Sequence, residues 1–530
     1  MLSLVCALLA VVTVNGLGVY WPSQVAEVTL ADGTKFLGRM IRSEVNPDTD
    51  KMSVQFKVGN REQDPQRQDF RWIRYDAILA ITYPAEVYVL ERVENGDFYG
   101  YLKDTAGPDL ARLSGIPVAE AFPKALGSVR SKSSEEIAPI SKKLLSLGNE
   151  LQKTQDKILR LTYRRDRLLA DSRSGNQSRA SDVDRQIAEL QASSQKIKEQ
   201  SDRLVGQQQL RLADLRRDAV VMTNPAGKET SIALVDIVRF HDPNAMGFWA
   251  KSRYYLSRIG ELLWENPRES NTEGGLFPAI FGTVMLIFLM AIACFPLGVL
   301  AGIYLGEYAK EGFLIRLVRI AVNNLAGIPS IVYGIFGLGF FVYGVGGLLD
   351  QWFFPERVAS GTPTFGTGGI LWASLTLGLL TVPVVIVSTE EALQAIPRAA
   401  REGSFALGAT KFQTLVRVLL PTASPGMMTG FILAMARAAG EVAPLMITGV
   451  VKLAPQMPVD GDFPFFHLDR KFMHLGFHIY DVGFQSPNVE ASKPMVFVTT
   501  LLLLIIVLAM TSVAIYLRNR MRRRYQVRTI

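Results

Sequence analysis

Arg437 and Glu441 stand four residues apart in ARAAGEVAPL, inside a run that is otherwise apolar. An ionisable side chain within a membrane-like run is costly and usually faces a pathway. A spacing of four places both on one face of a helix. A guanidinium grips two oxygens of an oxyanion in a planar fork, and Glu441 can hold Arg437 in place before a ligand arrives. The pattern therefore offers oxyanion binding in a pathway. The competing reading is an Arg–Glu pair that only fixes helix packing. A second stretch, Glu402 to Pro421, reads EGSFALGATKFQTLVRVLLP. Its glycine suits a turn and its proline a stop. Phe405, Leu407, Phe412, Leu415 and Val418 are apolar, while Arg401, Lys411 and Arg417 keep the segment in water. The expectation is a helix–turn–helix at a membrane surface, with one run ending at Gly408 and the second at Pro421. Such an element suits docking by another protein. Glu390 and Glu391 end an apolar run, where one is expected to meet a neighbouring helix and the other water. Asn323 and Asn324 read as interhelical hydrogen-bonding residues.

These residues need elements to hold them, and the chain supplies apolar ones. It has 530 residues, 48% of them hydrophobic, a mean that hides a polar half and a membrane-like half. Apolar runs cover 1–20 and about 276–305, 322–348, 370–389, 426–450 and 495–517. Each later run is long enough for a hydrocarbon core about 30 Å thick at about 1.5 Å per residue. Six membrane helices are expected. The first run has no charge, no basic start and no clear cleavage site, so it reads as a retained helix rather than a signal peptide. The missing positive start suggests that the natural N-terminus lies a little upstream. Lys310, Arg316, Arg319, Arg398, Arg401, Lys411, Arg417 and the arginine-rich tail after Leu517 belong on the cytoplasmic side. That puts both termini inside and residues 21–275 outside. The tail reads as a lipid-facing helix end and not as a nucleic-acid site. Cys6 and Cys294 make no disulfide framework and no metal spacing. No catalytic residue and no metal are expected.

The external segment reads differently. From Val25 the period is two, with Asp32-Gly33 and Asn95-Gly96 as hairpin turns. The pattern returns at Val220 to Phe240, where Val235-Asp236-Ile237-Val238 echoes Asp76-Ala77-Ile78-Leu79. This predicts a small β-domain, barrel- or sandwich-like and built from repeated units, over 21–135 and 218–247. Between the two parts, Ile140, Leu147, Leu161 and Leu168 keep a seven-residue register, with Leu144, Leu151 and Ile158 at the intervening positions and Thr154 and Arg165 as the exceptions. Val183, Ile187, Leu190, Ile197 and Leu204 form a second stripe. An antiparallel coiled-coil hairpin is predicted over 136–217, turning within Asp171 to Ser181. Residues 248–275 read as an amphipathic interfacial helix over Phe248 to Trp264 and a linker.

The Glu402–Pro421 spacing also resembles the cytoplasmic coupling loop of ABC-importer permeases: EAA, three residues, Gly, nine residues, then I-x-L-P. Glu402 stands first, Gly403 and Ser404 replace the alanines, Gly408 holds the glycine, and Leu420-Pro421 close the motif. With NTEGG, PLGVLAGIYLGEY, GIPSIVYGIFG and ARAAGEVAPL, the chain from Asn271 onward resembles the PstA-type phosphate ABC-transporter permease. The resemblance implies a mostly α membrane protein of the type I importer (MetI-like) permease fold, occupying 276–530 with its coupling loop at 398–421, in a bacterial inner membrane. It implies a phosphate-importer subunit paired with a PstC-type permease, a cytoplasmic ABC ATPase dimer and a periplasmic phosphate-binding protein. No cofactor is expected on this chain. A Walker A loop is missing, and Gly227-Lys228-Glu229 is only an imitation of one, so ATP would be used by the partner. Family members have a short first external loop, and the resemblance says nothing of the large insertion here. Permeation of another oxyanion, molybdate or sulfate, stays open. So does a non-transporting sensor or scaffold working through the external coiled coil.

Overall fold

A computed structural model describes residues 2–46, 51–60, 69–108, 117–170, 176–268, 271–461, 463–486 and 489–525. The turn expected around Ser174 and Gly175 and the residue Arg528 lie outside the described residues. The chain divides into two compact units, one of Tyr20–Gly260 and one of Met1–Val19 with Glu261–Ile530.

The Tyr20–Gly260 unit holds two copies of one β-module. In the first, β1 (Ala26–Leu30), β2 (Lys35–Asn46), β3 (Lys51–Lys57), β4 (Phe70–Arg74) and β5 (Ile78–Thr82) form an antiparallel sheet of order β4-β3-β2-β1-β5. In the second, β6 (Val87–Arg92), β7 (Asp97–Ala106), β8 (Ala219–Thr223), β9 (Glu229–Ala233) and β10 (Ile237–His241) repeat it as β10-β6-β7-β8-β9. The registers coincide in detail. Val28 pairs with Phe36 and Ile81, and Leu90 pairs with Phe98 and Phe240. The second strand bulges between Met40 and Arg42 in one copy and between Leu102 and Asp104 in the other. A single 3₁₀ turn, Tyr75–Ala77 or Leu234–Asp236, precedes the last strand. Gly38 and Gly100 hold one position for one reason. A Cβ there would lie 3.3 Å from the Lys57 carbonyl oxygen or 2.9 Å from that of Thr223, across the neighbouring strand. The echo heard in the sequence is thus a duplication, and the helices interrupt only its second copy.

Those helices are α2 (Val118–Ala170) and α3 (Asn176–Leu215). Side-chain links between Glu136 and Arg211, Ser141 and Gln208, and Arg165 and Asp184 run up one helix and down the other, so the pair is antiparallel. Leu147, Val183, Ile187 and Ile197 are buried in the seam. One boundary differs: α2 starts at Val118, well before the expected 136. Pro123 and Pro139 lie inside it, and proline is read as a helix breaker. The added turns have their own core. Phe122, Ala125, Leu126 and Val129 join Leu90, Phe98, Leu234 and Ile237 of the second module. The α4 helix covers Phe248–Trp264, as its amphipathic pattern predicts.

In the other unit, α1 (Leu2–Gly18) packs on the last helix. Then come α5 (Phe277–Ile303), α6 (Phe313–Leu325), α7 (Ser330–Phe336), α8 (Gly347–Phe353), α9 (Pro355–Ala359), α10 (Ile370–Gln394), α11 (Arg398–Ala406), α12 (Lys411–Thr414), α13 (Leu420–Gly440), α14 (Ala443–Thr448), α15 (Leu475–Tyr480) and α16 (Val489–Tyr525). Among the described residues five helices are long and apolar enough to cross a membrane: Phe277–Tyr308, Ser330–Phe353, Ile370–Gln394, Lys411–Gly440 and Ser492–Arg523. The apolar helix Ser3–Gly18 is shorter. Their core joins Leu286, Met290 and Cys294 of α5 to Ala373 and Leu377 of α10 and to Ala438 and Ala439 of α13. Small residues allow close approach: a Cβ on Gly430 would lie 1.7 Å from Ser388 Oγ.

Two expected spans shift. The third starts at Ser330 and not at 322. Pro329 supplies no N–H and precedes it in extended conformation. Residues 322–325 end the amphipathic α6 instead, so Asn323 and Asn324 lie exposed there. The fifth runs from Lys411 to Gly440 and not from 426 to 450. Pro421 therefore does not stop a helix. It stands in the first turn of α13, directly after a π-helical segment, Leu415–Leu419. There the chain needs no ordinary i→i−4 bond from it.

Candidate functional site

The Glu402 segment is a tight two-helix knob. α11 ends at Ala406, and Gly408 carries the turn at φ +80°. The space around a Cβ at Gly408 is open, so the requirement for glycine is conformational. The Gly408 N–H donates to the Phe405 carbonyl at 2.9 Å and that of Ala409 to the Ser404 carbonyl at 3.2 Å. Thr410 and Gln413 then form a reciprocal capping box that starts α12. Ser404 and Thr414 hydroxyls meet at 2.9 Å and tie the two limbs together. Glu402 and Gly403 are exposed on α11. The tip is apolar and exposed: Leu407 is 90% exposed and Phe412 is 66% exposed. A contiguous exposed apolar surface marks a site of interaction with protein or membrane.

The base of the knob is fixed twice. Leu415, Leu419 and Leu420 pack with Ile303, Leu393 and Ile396, joining it to the ends of α5 and α10. Pro421 is half-buried beside them. Charge adds direction. Arg401 pairs with Glu307 at 2.8 Å and donates to the Leu393 carbonyl at 2.7 Å. Lys411 donates to the Glu307 carbonyl at 2.5 Å and lies over the Tyr308 ring. Glu390 pairs with Arg319 at 2.8 Å, and Glu391 is exposed. The split expected for those two carboxylates is the one found. Sequence reasoning missed Glu307. It stands in a motif that the resemblance had already picked out, but its partner Arg401 is far along the chain.

Arg437 is in the last turn of α13, and Glu441 is the first residue beyond it, with extended φ −84°, ψ 126°. The two do not share one helix face as expected, because the helix ends at Gly440. They remain together: Arg437 Nε is 3.7 Å from Glu441 Oε1, with side chains 35% and 22% exposed. The chain restarts as α14 at Ala443, after Glu441 and Val442. α14 packs tightly on α7, where a Cβ on Gly334 would lie 2.8 Å from the Pro444 Cα. A guanidinium that is partly open, loosely paired and placed at a helix break can exchange its carboxylate for an oxyanion with little rearrangement.

A second polar cluster precedes α16 and carries no sequence signal. His474, His478 and Asp481 are buried. The His478 Nδ1 lies 3.2 Å from Thr499 Oγ1, and Asp481 pairs with Lys452 at 3.3 Å. Burial pushes both imidazoles down to about 4, so they are neutral near pH 7. His478 ties this segment to α16, while His474 caps α15 by accepting from the Gly476 N–H at 3.1 Å. Among the described residues, no group of three or more His, Cys, Asp or Glu could hold a metal.

Comparison with known proteins places these features in context. Residues 298–523 match the family described as "Binding-protein-dependent transport system inner membrane component". The probable ABC transporter permease protein YqgH of Bacillus subtilis (strain 168) is 30% identical over 261 residues, covering 49% of this chain and 80% of that protein. The probable phosphate transport system permease protein PstA of Methanocaldococcus jannaschii is 33% identical over 242 residues, covering 45% of this chain and 74% of that one. Among solved structures, an inward-facing MetNI methionine ABC transporter shares 22% identity over 48% of this chain and 95% of its own, with a TM-score of 0.32.

Proposed function

Because the chain belongs to the binding-protein-dependent inner-membrane transport components, as a PstA-type ABC-transporter permease subunit that is not itself an enzyme, we propose that it forms a phosphate pathway with a PstC-type permease. The observation that carries the oxyanion reading is the Arg437–Glu441 pair, partly open at the break between α13 and α14, and the similarity to PstA permeases favours phosphate among oxyanions. The Glu402–Pro421 knob is the contact for a cytoplasmic ABC ATPase dimer, which supplies ATP hydrolysis. Its exposed Phe405, Leu407 and Phe412 enter the ATPase, while Glu402, Gly403, Ser404 and Gly408 set the shape of the turn. Leu420 and Pro421 join the knob to the fifth span. A periplasmic phosphate-binding protein delivers the cargo on the opposite face, where we place residues 21–275.

Glu307 and Arg401 give the knob a route to the spans. They tie it to the end of α5, so a tilt of the knob is passed to that helix as a rigid displacement. The test is purification in mild detergent with partners identified by mass, then uptake by the reconstituted complex. Phosphate uptake driven by ATP, competed by excess phosphate and not by molybdate or sulfate, is the expected result. Competition by molybdate or sulfate at equal concentration would transfer the assignment to that oxyanion.

A further inference from the structure

The duplicated modules differ in one respect that the repeat makes measurable. In the second module, the first turns of α2 lie on the core. Phe122, Ala125, Leu126 and Val129 face Leu102, Leu234 and Ile237, and the Phe122 and Phe240 rings are 4.7 Å apart. Arg130 donates to the Val238 carbonyl. The strand registers put Met40, Tyr75, Ile78 and Leu79 of the first module where the second has Leu102, Leu234, Ile237 and Val238. Leu234 is 1% exposed, yet Tyr75 is 56% and Leu79 74% exposed. Met40, Val45 and Met52 of the same sheet are exposed as well, Val45 and Met52 as cross-strand partners.

We infer that this face of the first module is a docking surface for an amphipathic helix of a partner protein, one presenting apolar residues at i, i+3, i+4 and i+7. The occupant follows from the sister face, which the same strand registers build and which such a helix covers. The rim argues against lipid. Asp76 stands where the second module has Val235, and it is held by Lys51 at 2.9 Å and Arg74 at 3.4 Å. Fixed charges beside the apolar area suit the polar flank of a helix and repel acyl chains. A second copy of this chain is a poor occupant, since its α2 is already seated in its own second module.

The test places a photo-reactive residue at Leu79 of the full chain in its native membrane and maps the residues to which it attaches. Attachment to a helix of another protein, with apolar residues at that spacing, is expected. A further Tyr75→Asp or Met40→Asp change should reduce the adduct at least tenfold while the α2–α3 hairpin keeps its resistance to protease. Adducts to lipid, to a second copy or to non-helical segments would overturn the inference. So would no adduct, or an adduct that both Asp variants leave unchanged.

Discussion

Arg437 is neither sealed nor free, and this sets what its substitution should do. Arg437→Lys keeps the charge and loses the fork; Arg437→Gln loses both. Each is expected to lower phosphate uptake at least tenfold, about 1.4 kcal/mol of transition-state binding, with assembly unchanged. If the pair only fixes packing, the double variant Arg437→Gln, Glu441→Gln restores uptake. Gly408 allows a sharper test, because its surroundings are empty and its backbone is not. A β-branched residue at φ +80° costs about 1–2 kcal/mol. Gly408→Val should insert normally and lose ATP-driven uptake, whereas Gly408→Asn, which tolerates that conformation, should keep most of it. Equal uptake in both variants would remove the turn from the coupling argument. Although the shared helix face inferred from their spacing ends at Gly440, the nearness of Arg437 and Glu441 was legible because the two are close in sequence. Glu307 was not, because only the fold brings Arg401 to it.

At the scale of elements, the Glu307–Arg401 pair is the bracket between the knob and α5. Glu307→Arg should uncouple ATP hydrolysis from uptake, and adding Arg401→Glu should recover part of the coupling. Recovery of nothing would mean that apolar packing of Leu415 and Leu419 is the whole bracket. The α2–α3 hairpin divides at the module boundary. Excising Ser141 to Arg211 and closing the gap with a short Gly/Ser linker spares Phe122 to Val129 and should leave the β-modules folded, as read by protease resistance of β6–β10. Excision from Val118 onward removes those core residues and should unfold the second module. If uptake by the shorter deletion falls only at low binding-protein concentration, the hairpin captures that protein. Unchanged uptake at every concentration excludes that role. Periodicity made α4 and the hairpin seam readable in the sequence, since an apolar stripe needs only local spacing. What it hid lies at prolines. Pro123 and Pro139 concealed the early start of α2, and Pro421 looked like a stop, because propensity rules do not include the packing or the π turn that tolerates them.

At the scale of the whole molecule, the orientation rests on where arginine and lysine fall. In a background without Cys6 and Cys294, cysteines at Ser178 and Arg520 should differ toward an impermeant reagent on intact cells. Ser178→Cys is expected to react and Arg520→Cys to stay protected. The opposite result would invert the assignment of the termini and of residues 21–275. The ends of the Tyr20–Gly260 unit bear on how it can be carried within a longer chain. Its two chain ends meet: Trp21 lies 5.9 Å from Phe248 and 5.9 Å from Tyr255, and Arg258 covers the Tyr20 ring. These contacts bring the entry and exit of the unit together. A passenger that enters and leaves at one point has the arrangement in which a domain is tolerated as an insertion within another chain.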